Sequence, residues 1–328
     1  MDTSGDYFGV YFGDVENSKT LGSLSEWDVV LMSNVTFEWT TELLAASKKG
    51  RRRRKIHDFL NQVAAHSGLI ALSVVFIFPL YLVFVVSVMS LDQTSNRDLW
   101  PNPFIWSNYL EVFTTVPFLK WTWNTFLISA INAVGTIISC VPPAYVLSHL
   151  KWRGRQFTFI LILSTMMLPG QVTMIPVYII FTKLGWVPSM LPLTVPAFFG
   201  SAFSIFLLRQ FFVSIPIELT DAARIDGCSE LKLLLRIIVP LAKPAIAAIG
   251  LFAFLGSWND FFGPLIYLVD NQDLWTLGIG LNSFGGAHHI DRALTMAASA
   301  LFMAPVIVVF FFAQRVFIEG ITLTGVKG

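Results

Sequence analysis

The sequence of 328 residues has few charged side chains, and this scarcity excludes most classes of soluble protein. Charged residues make up 13% of the chain, hydrophobic residues make up 55%, and the mean hydropathy is +0.66. A soluble domain is usually about 25% charged. The net charge of +1 disfavours nucleic acid as a partner, and the high apolar content excludes a disordered chain. The composition therefore predicts a protein that crosses a membrane several times.

The sequence also has little of what enzymes, metal sites and disulfide-stabilised domains require. Cys140 and Cys228 are its two cysteines, too few for a disulfide framework. Residues 13–20 approach a nucleotide-binding loop, but a serine occupies the place of the second glycine. The pair His288–His289 could ligate a metal, although an exposed loop is favoured. We therefore expect no catalytic residue, no metal site and no cofactor.

Apolar stretches of membrane length recur along the chain. About 20 mostly apolar residues are needed for one helix to cross the bilayer. Six such stretches are present, at residues 68–90, 124–148, 157–180, 190–213, 244–268 and 294–317. The predicted fold class is all-α, a polytopic membrane protein with about six transmembrane helices.

The positions of the basic residues predict the orientation of these helices. Most of the 22 lysines and arginines lie in the first segment and in every second connection between the apolar stretches. Connections rich in lysine and arginine are usually cytoplasmic. Both termini are therefore expected in the cytoplasm. Residues 1–66 are expected to form a cytoplasmic extension, acidic and then basic, whose basic run at 48–55 lies on anionic lipid. Residues 67–317 would form the transmembrane domain, and residues 318–328 a cytoplasmic tail.

The longest cytoplasmic loop, between the fourth and fifth stretches, has the pattern of a docking helix. Pro216 suits the first turn of a short helix, and Glu218 and Asp221 place negative charge near its positive end. The small pair Ala222–Ala223 would leave a smooth surface for close approach, and Gly227 suits the C-terminal turn. An ordinary amphipathic connector would not require these small residues. The loop therefore indicates a surface that contacts another protein.

This loop closely resembles the EAA loop of binding-protein-dependent ABC importer permeases. The family pattern is Glu-Ala-Ala, three residues, Gly, nine residues, then Ile-x-Leu-Pro. Here residues 221–223 read Asp-Ala-Ala, Gly227 is at the expected offset, and residues 237–240 end the pattern, with Asp for Glu and Val for Leu as departures. The resemblance implies a cytoplasmic coupling helix that contacts an ATPase subunit through Asp221, Ala222, Ala223, Asp226, Gly227 and Pro240.

Other segments resemble the carbohydrate-importer branch, specifically the second permease of the maltose-transporter type. They are residues 167–172, Ile175–Pro176, residues 257–260 and the tail from residue 316, so the resemblance covers about residues 66–328. It implies that this chain is not an enzyme, because two separate ATPase subunits hydrolyse ATP. It further implies a second permease, an extracytoplasmic solute-binding protein, a sugar substrate and a location in the cell inner membrane.

Residues that contact the cargo are harder to identify. Polar groups at membrane depth are costly, so they usually face a cavity or another helix. The candidates for the substrate path are Gln171, Trp258, Asn259 and Asp260, with Asn132 and Ser139 more easily explained as helix–helix hydrogen bonds. A path without evident basic residues favours a neutral sugar over glycerol phosphate, and a polyol remains an alternative. A membrane scaffold that transports nothing is the alternative of another class.

Overall fold

The structure, a computed structural model, describes residues 59–96, 98, 100–284 and 291–324, and in these ranges the chain forms helices and no strands. The α-helices are α1 (Phe59–Ser87), α2 (Leu91–Asn96), α3 (Ser107–Thr115), α4 (Phe118–His149), α5 (Arg155–Thr165), α6 (Gly170–Lys183), α7 (Leu191–Thr194), α8 (Ala202–Val213), α9 (Ile217–Ile225), α10 (Glu230–Leu233), α11 (Val239–Leu241), α12 (Lys243–Trp258), α13 (Phe262–Leu268), α14 (Leu277–Phe284) and α15 (Arg292–Thr324). The glycine-containing loop at 13–20, the basic run at 48–55 and the pair His288–His289 lie outside the described residues.

The described helices include spans of membrane length, and the expected all-α polytopic fold is confirmed. Four segments are long and apolar enough to cross a bilayer: α1, α4, residues Leu191–Val213 and residues Arg292–Phe312. Two bent helix pairs pass the same test, α5 with α6 and residues Glu230–Leu241 with α12. The number of spans reaches six if each bent pair counts as one.

Three stretches that the sequence shows as continuous are broken in the structure, and the fourth is interrupted at Gly200 and Ser201, before α8. The third bends by 91° between α5 and α6, where Pro169 has an extended conformation with φ −62° and ψ 132°. Proline has no N–H to continue a helix, and its ring disfavours helical geometry before it. The fifth is two helices rather than one, because α12 ends at Trp258 and α13 begins at Phe262.

Helical structure also extends past the domain boundaries expected from the sequence. Residues 59–66, assigned above to the N-terminal extension, belong to α1. Residues 318–324, assigned to the tail, continue α15 without a break. Both boundaries were placed where apolar sequence ends, whereas a helix can continue for further turns into polar sequence.

The contacts divide the chain into two units, residues 1–78 and residues 79–328. Within the second unit α4 packs against α8 and α12, and their contact forms the largest buried apolar cluster. Cys140, Leu208 and Ile249 are fully buried there. A Cβ at Gly250 would lie 2.9 Å from Ile137 Cδ1, so the glycine allows α12 to approach α4 closely. The helix α9 and a polar cavity, described next, both contact these three helices.

Candidate functional site

The helix α9 has the ends that the sequence predicts. It begins directly after Pro216, which has φ −56° and ψ 129°, and the structure places this proline just before the first turn. At the other end Gly227 has φ +80°, a conformation that few residues other than glycine adopt. The Gly227 N–H donates to the Arg224 carbonyl at 3.0 Å, and the Cys228 N–H donates to the Ala223 carbonyl at 3.0 Å. These two bonds form a Schellman motif, which stops the helix at a defined residue.

The two alanines of the docking pattern face different ways, and this corrects one sequence interpretation. Ala222 is exposed, but Ala223 is 7% exposed and packs in the cluster between α4, α8 and α12. Thr220, one turn earlier, is fully buried on the same side. Adjacent helical residues point about 100° apart, and in α9 this turn leaves Ala222 on the exposed side and Ala223 on the buried side. Ala223 is small so that α9 can lie close to its own chain.

The outer face of α9 combines apolar and acidic side chains. Ile217, Leu219 and Ile225 are 45%, 46% and 86% exposed. The carboxylates of the same face belong to Glu218, Asp221 and Asp226, all exposed. Exposed apolar side chains rimmed by polar ones mark a surface that contacts another protein or the membrane.

Arg224 links the acidic groups of this region to each other. Its Nη1 donates to Asp221 Oδ1 at 2.8 Å, and its Nε donates to Glu230 Oε1 at 2.9 Å. The hydrogen bond to Glu230, opposed in part by burial, raises the pKa of Arg224 above its ordinary value. The guanidinium therefore stays charged at any physiological pH. The hydroxyl of Tyr145 on α4 also donates to the Glu230 carboxylate.

The chain returns from the loop through an irregular helix that contains Pro240. Residues Leu234–Ile238 form a π-helical turn, α11 follows, and the axis bends by 81° before α12. Proline cannot donate to the carbonyl four residues earlier, here Arg236, and such interruptions favour local widening of the helix. The side chain of Pro240 is exposed.

A separate cavity of about 570 Å³ lies among α4, α7, α8, α12 and α13. Its polar lining consists of Asn132, Thr136, Ser201, Ser204, Ser257, Asp260 and Tyr267. Among the described residues that line it, none is basic. Asp260 follows the end of α12, and its Oδ1 accepts a hydrogen bond from the Gly263 N–H at 3.1 Å. The cavity therefore offers hydroxyl, amide and carboxylate groups.

Only one of the four residues predicted for the substrate path lines this cavity, and it is Asp260. Trp258 is 1% exposed, with its ring stacked on Phe254 at 5.7 Å and close to Phe302 at 5.9 Å. Its aromatic face is therefore covered in this structure, and its place in the substrate path stays a prediction.

The other two predicted residues are exposed and lie outside the cavity lining. Asn259 donates from Nδ2 to the Leu255 carbonyl at 2.8 Å. Gln171 lies on the first turn of α6. Both predictions followed from residue type, which does not reveal the direction in which a side chain points.

Asn132 and Ser139 make the helix–helix bonds that the sequence analysis favoured for them. Asn132 Nδ2 donates to the Leu193 carbonyl at 2.9 Å and to Ser257 Oγ at 2.8 Å, and Ser139 Oγ donates to the Ala197 carbonyl at 2.9 Å. Sequence reasoning missed Ser201, Ser204 and Tyr267, because isolated serines and tyrosines in apolar helices carry no distinctive pattern.

Comparison with known proteins places the fold and the loop in a family. Residues 135–322 match the family described as binding-protein-dependent transport system inner membrane component. The arabinooligosaccharides transport system permease protein AraQ of Halalkalibacterium halodurans is 32% identical over 267 residues, covering 80% of this chain and 95% of the relative. The sn-glycerol-3-phosphate transport system permease protein UgpE of Pectobacterium atrosepticum is 30% identical over 274 residues, covering 80% of this chain and 95% of that protein.

A solved structure agrees with these sequence matches. The chain superposes on part of a bacterial ABC transporter involved in the import of the acidic polysaccharide alginate with a TM-score of 0.68 and 26% identity, covering 80% of this chain and 96% of that one. The family match includes α9, its Schellman motif and the cavity-lining residues from Thr136 onwards. This chain belongs to the family of binding-protein-dependent transport system inner membrane components, the permease subunits of ABC importers.

Proposed function

We propose that this permease subunit forms, with a second permease, the path for a neutral sugar or short oligosaccharide that an extracytoplasmic binding protein delivers. Two separate ATPase subunits hydrolyse the ATP that drives transport. The observation that carries this proposal is the outer face of α9, an exposed apolar and acidic surface on a helix with fixed ends. A membrane scaffold without transport would not require both such a surface and a polar cavity.

In the proposed complex α9 lies in a cleft of one ATPase subunit. Asp221, Ala222, Asp226 and Gly227 are exposed and contact the partner, while Ala223 supports the helix from behind. Pro240 acts at a distance by fixing the bend through which the chain returns to the membrane. Because Asp221 is already paired with Arg224, a basic group of the ATPase would share this carboxylate rather than meet a free one.

The charge of the cavity supports a neutral cargo. Relatives are named for arabinooligosaccharides, for sn-glycerol-3-phosphate and for alginate, and the last two are anionic. A carboxylate at Asp260 and an anionic cargo group about 5 Å away would repel each other by about 3 kcal/mol at an effective dielectric constant of about 20. Among the described residues that line the cavity none is basic, so none of them compensates that repulsion.

In the cell, both termini are proposed to lie in the cytoplasm. Residues 1–66 then form an extension before the permease domain of residues 67–317, and residues 318–328 form a cytoplasmic tail. The support is the bias of lysine and arginine towards alternate connections.

Uptake into proteoliposomes that contain the complete transporter tests the cargo. The panel consists of radiolabelled arabinotriose, maltose and sn-glycerol-3-phosphate, each with the binding protein and internal ATP. We expect ATP-dependent accumulation of a neutral sugar. The Asp260→Asn variant should keep this uptake and should discriminate less strongly against glycerol phosphate. Accumulation of glycerol phosphate alone would refute the neutral cargo. Absence of any ATP-dependent uptake in assembled complexes would favour the scaffold.

A further inference from the structure

One carboxylate, that of Glu230, joins α9 to the end of α4. Its Oε1 accepts from Arg224 Nε at 2.9 Å, its Oε2 lies 3.4 Å from Arg224 Nη2, and its Oε2 also accepts from the hydroxyl of Tyr145. We propose that Glu230 is a positioning residue, which transmits movement of the docking helix α9 to the membrane helix α4. The inference rests on the proposed docking of α9 on an ATPase subunit.

Packing alone attaches α9 only weakly to the rest of the chain. Of its nine residues only Thr220 and Ala223 are buried, and both are small. They remove little apolar surface from water, so they hold the helix with little energy. Hydrogen bonds between charged groups are about twice as strong as neutral ones. The bonds of Arg224 and Tyr145 to Glu230 therefore add a charge-assisted link between this helix and α4.

The α4 side of the link is firmly held. Tyr145 is 3% exposed and belongs to the buried cluster between α4, α8 and α12. Its ring stacks on that of His149, 5.3 Å away with an interplanar angle of 17°. The hydroxyl therefore has a fixed direction, and a displacement of Glu230 acts on the body of α4 rather than on a freely rotating side chain.

The same helix continues from this link to the cavity. Thr136 and Asn132 line the cavity, and α4 runs through them to Tyr145 as one helix that Pro142 and Pro143 do not interrupt. Tyr145 lies nine positions after Thr136, which corresponds to about 14 Å along the helix axis. Asn132 also donates hydrogen bonds to Leu193 and Ser257, which line the same cavity. A shift of the Tyr145 end would thus reach the groups that hold the cavity walls together.

The test measures the cavity directly and requires no cargo. In the complete transporter, an Ala253→Cys reporter on the cavity wall is labelled with a maleimide, with and without magnesium ATP and vanadate. The background carries Cys228→Ser, and Cys140 is fully buried. Tyr145→Phe removes only the hydroxyl on α4 and leaves the Arg224–Glu230 pair in place, so it is the decisive variant.

We expect Tyr145→Phe and Glu230→Gln each to reduce the ATP-dependent change in labelling rate by about tenfold, the factor that corresponds to about 1.4 kcal/mol. Tyr145 and Arg224 act through the same carboxylate. The ATP-dependent change in labelling rate should therefore fall no further in the double variant Tyr145→Phe/Arg224→Gln than in the more affected of the two single variants, Tyr145→Phe and Arg224→Gln. The matched control is Lys120→Gln, which removes the Lys120–Asp273 pair at 2.6 Å near the opposite end of α4. Lys120→Gln should leave the ATP-dependent change in labelling rate intact.

Two results would overturn the inference: a full ATP-dependent change in Tyr145→Phe, or additive losses in the double variant. Dissociation of the ATPase subunits from the Tyr145→Phe complex would show that the Tyr145 hydroxyl is needed for assembly of the complex. That result would also contradict its role in transmitting movement from α9 to α4. Failure of the docking hypothesis itself is detected separately by a Gly227→Val variant. If that variant uncouples the transporter while Tyr145→Phe does not, only the role of Glu230 is refuted.

Discussion

Replacing Gly227 by valine tests whether the end of α9 couples ATP hydrolysis to transport. Gly227 has φ +80°, and a Cβ built there meets no described atom within 4 Å, so the added Cβ itself causes no clash. The cost comes from the backbone, because a left-handed conformation costs a residue with a side chain about 1–2 kcal/mol, and a β-branched one more. Leaving that conformation would break the two bonds of the Schellman motif, which contribute about 1 kcal/mol each.

The consequence should be confined to the docking surface. Gly227 is exposed and outside the buried clusters, so insertion and abundance should remain normal. A penalty of about 2–3 kcal/mol exceeds the 1.4 kcal/mol that corresponds to a tenfold change in an equilibrium. We therefore expect sugar uptake per ATP hydrolysed to fall at least tenfold in proteoliposomes. Gly227→Asn should retain most of the coupling, since asparagine tolerates the left-handed conformation.

Gly185 provides a matched control for the strain itself. It has φ +71°, and a Cβ there also meets no described atom within 4 Å, but it lies after α6 and away from the docking loop. Gly185→Val should carry a similar backbone penalty and leave uptake per ATP unchanged. Equal losses in the two valine variants, or normal coupling in Gly227→Val at matched abundance, would refute the docking role.

Three further predictions concern the membrane topology, the N-terminal extension and the buried tryptophan. Single cysteines near Lys151 and Lys232 should react with an impermeant maleimide only from the cytoplasmic side, and those near Lys120 and His288 only from outside; cytoplasmic labelling near His288 would contradict the six-span arrangement. Deletion of residues 1–31 should preserve insertion and sugar uptake, and a loss of uptake at unchanged abundance would show that the extension contacts a partner. Trp258→Ala should lower the free energy of unfolding by about 3–5 kcal/mol, because it leaves a cavity where the buried indole ring packs. A variant with unchanged stability but a higher KM for sugar would instead support the place of Trp258 in the substrate path.

The sequence was sufficient where structure depends on local rules. The length of apolar stretches predicted an all-helical membrane protein, and the described helices agree. A proline followed by acids and a glycine predicted a short helix between Pro216 and Gly227, and α9 runs from Ile217 to Ile225. The conformation of Gly227 followed from the same pattern, because a helix stop with a left-handed residue is a property of the backbone and needs no distant contact.

Other features depended on which side chains meet across the fold. The sequence placed Ala222 and Ala223 on one surface, but the packing of α9 against the cluster between α4, α8 and α12 buries Ala223. It assigned Trp258 to the cargo, whereas Phe254 and Phe302 cover its ring. An aromatic residue near a polar one has the same local pattern in a binding site and in a core, so only the neighbours brought by folding distinguish them.

The sequence by itself determined the class of this protein, the number of apolar stretches and the short helix between Pro216 and Gly227. The tertiary structure alone decided where the third and fifth stretches break, which polar residues share a cavity, and that Tyr145 meets Glu230 across 85 positions of the chain. The physical reason is that helix length and helix ends follow from backbone hydrogen bonding between near neighbours. Burial and side-chain pairing arise only when segments distant in sequence pack closely against each other.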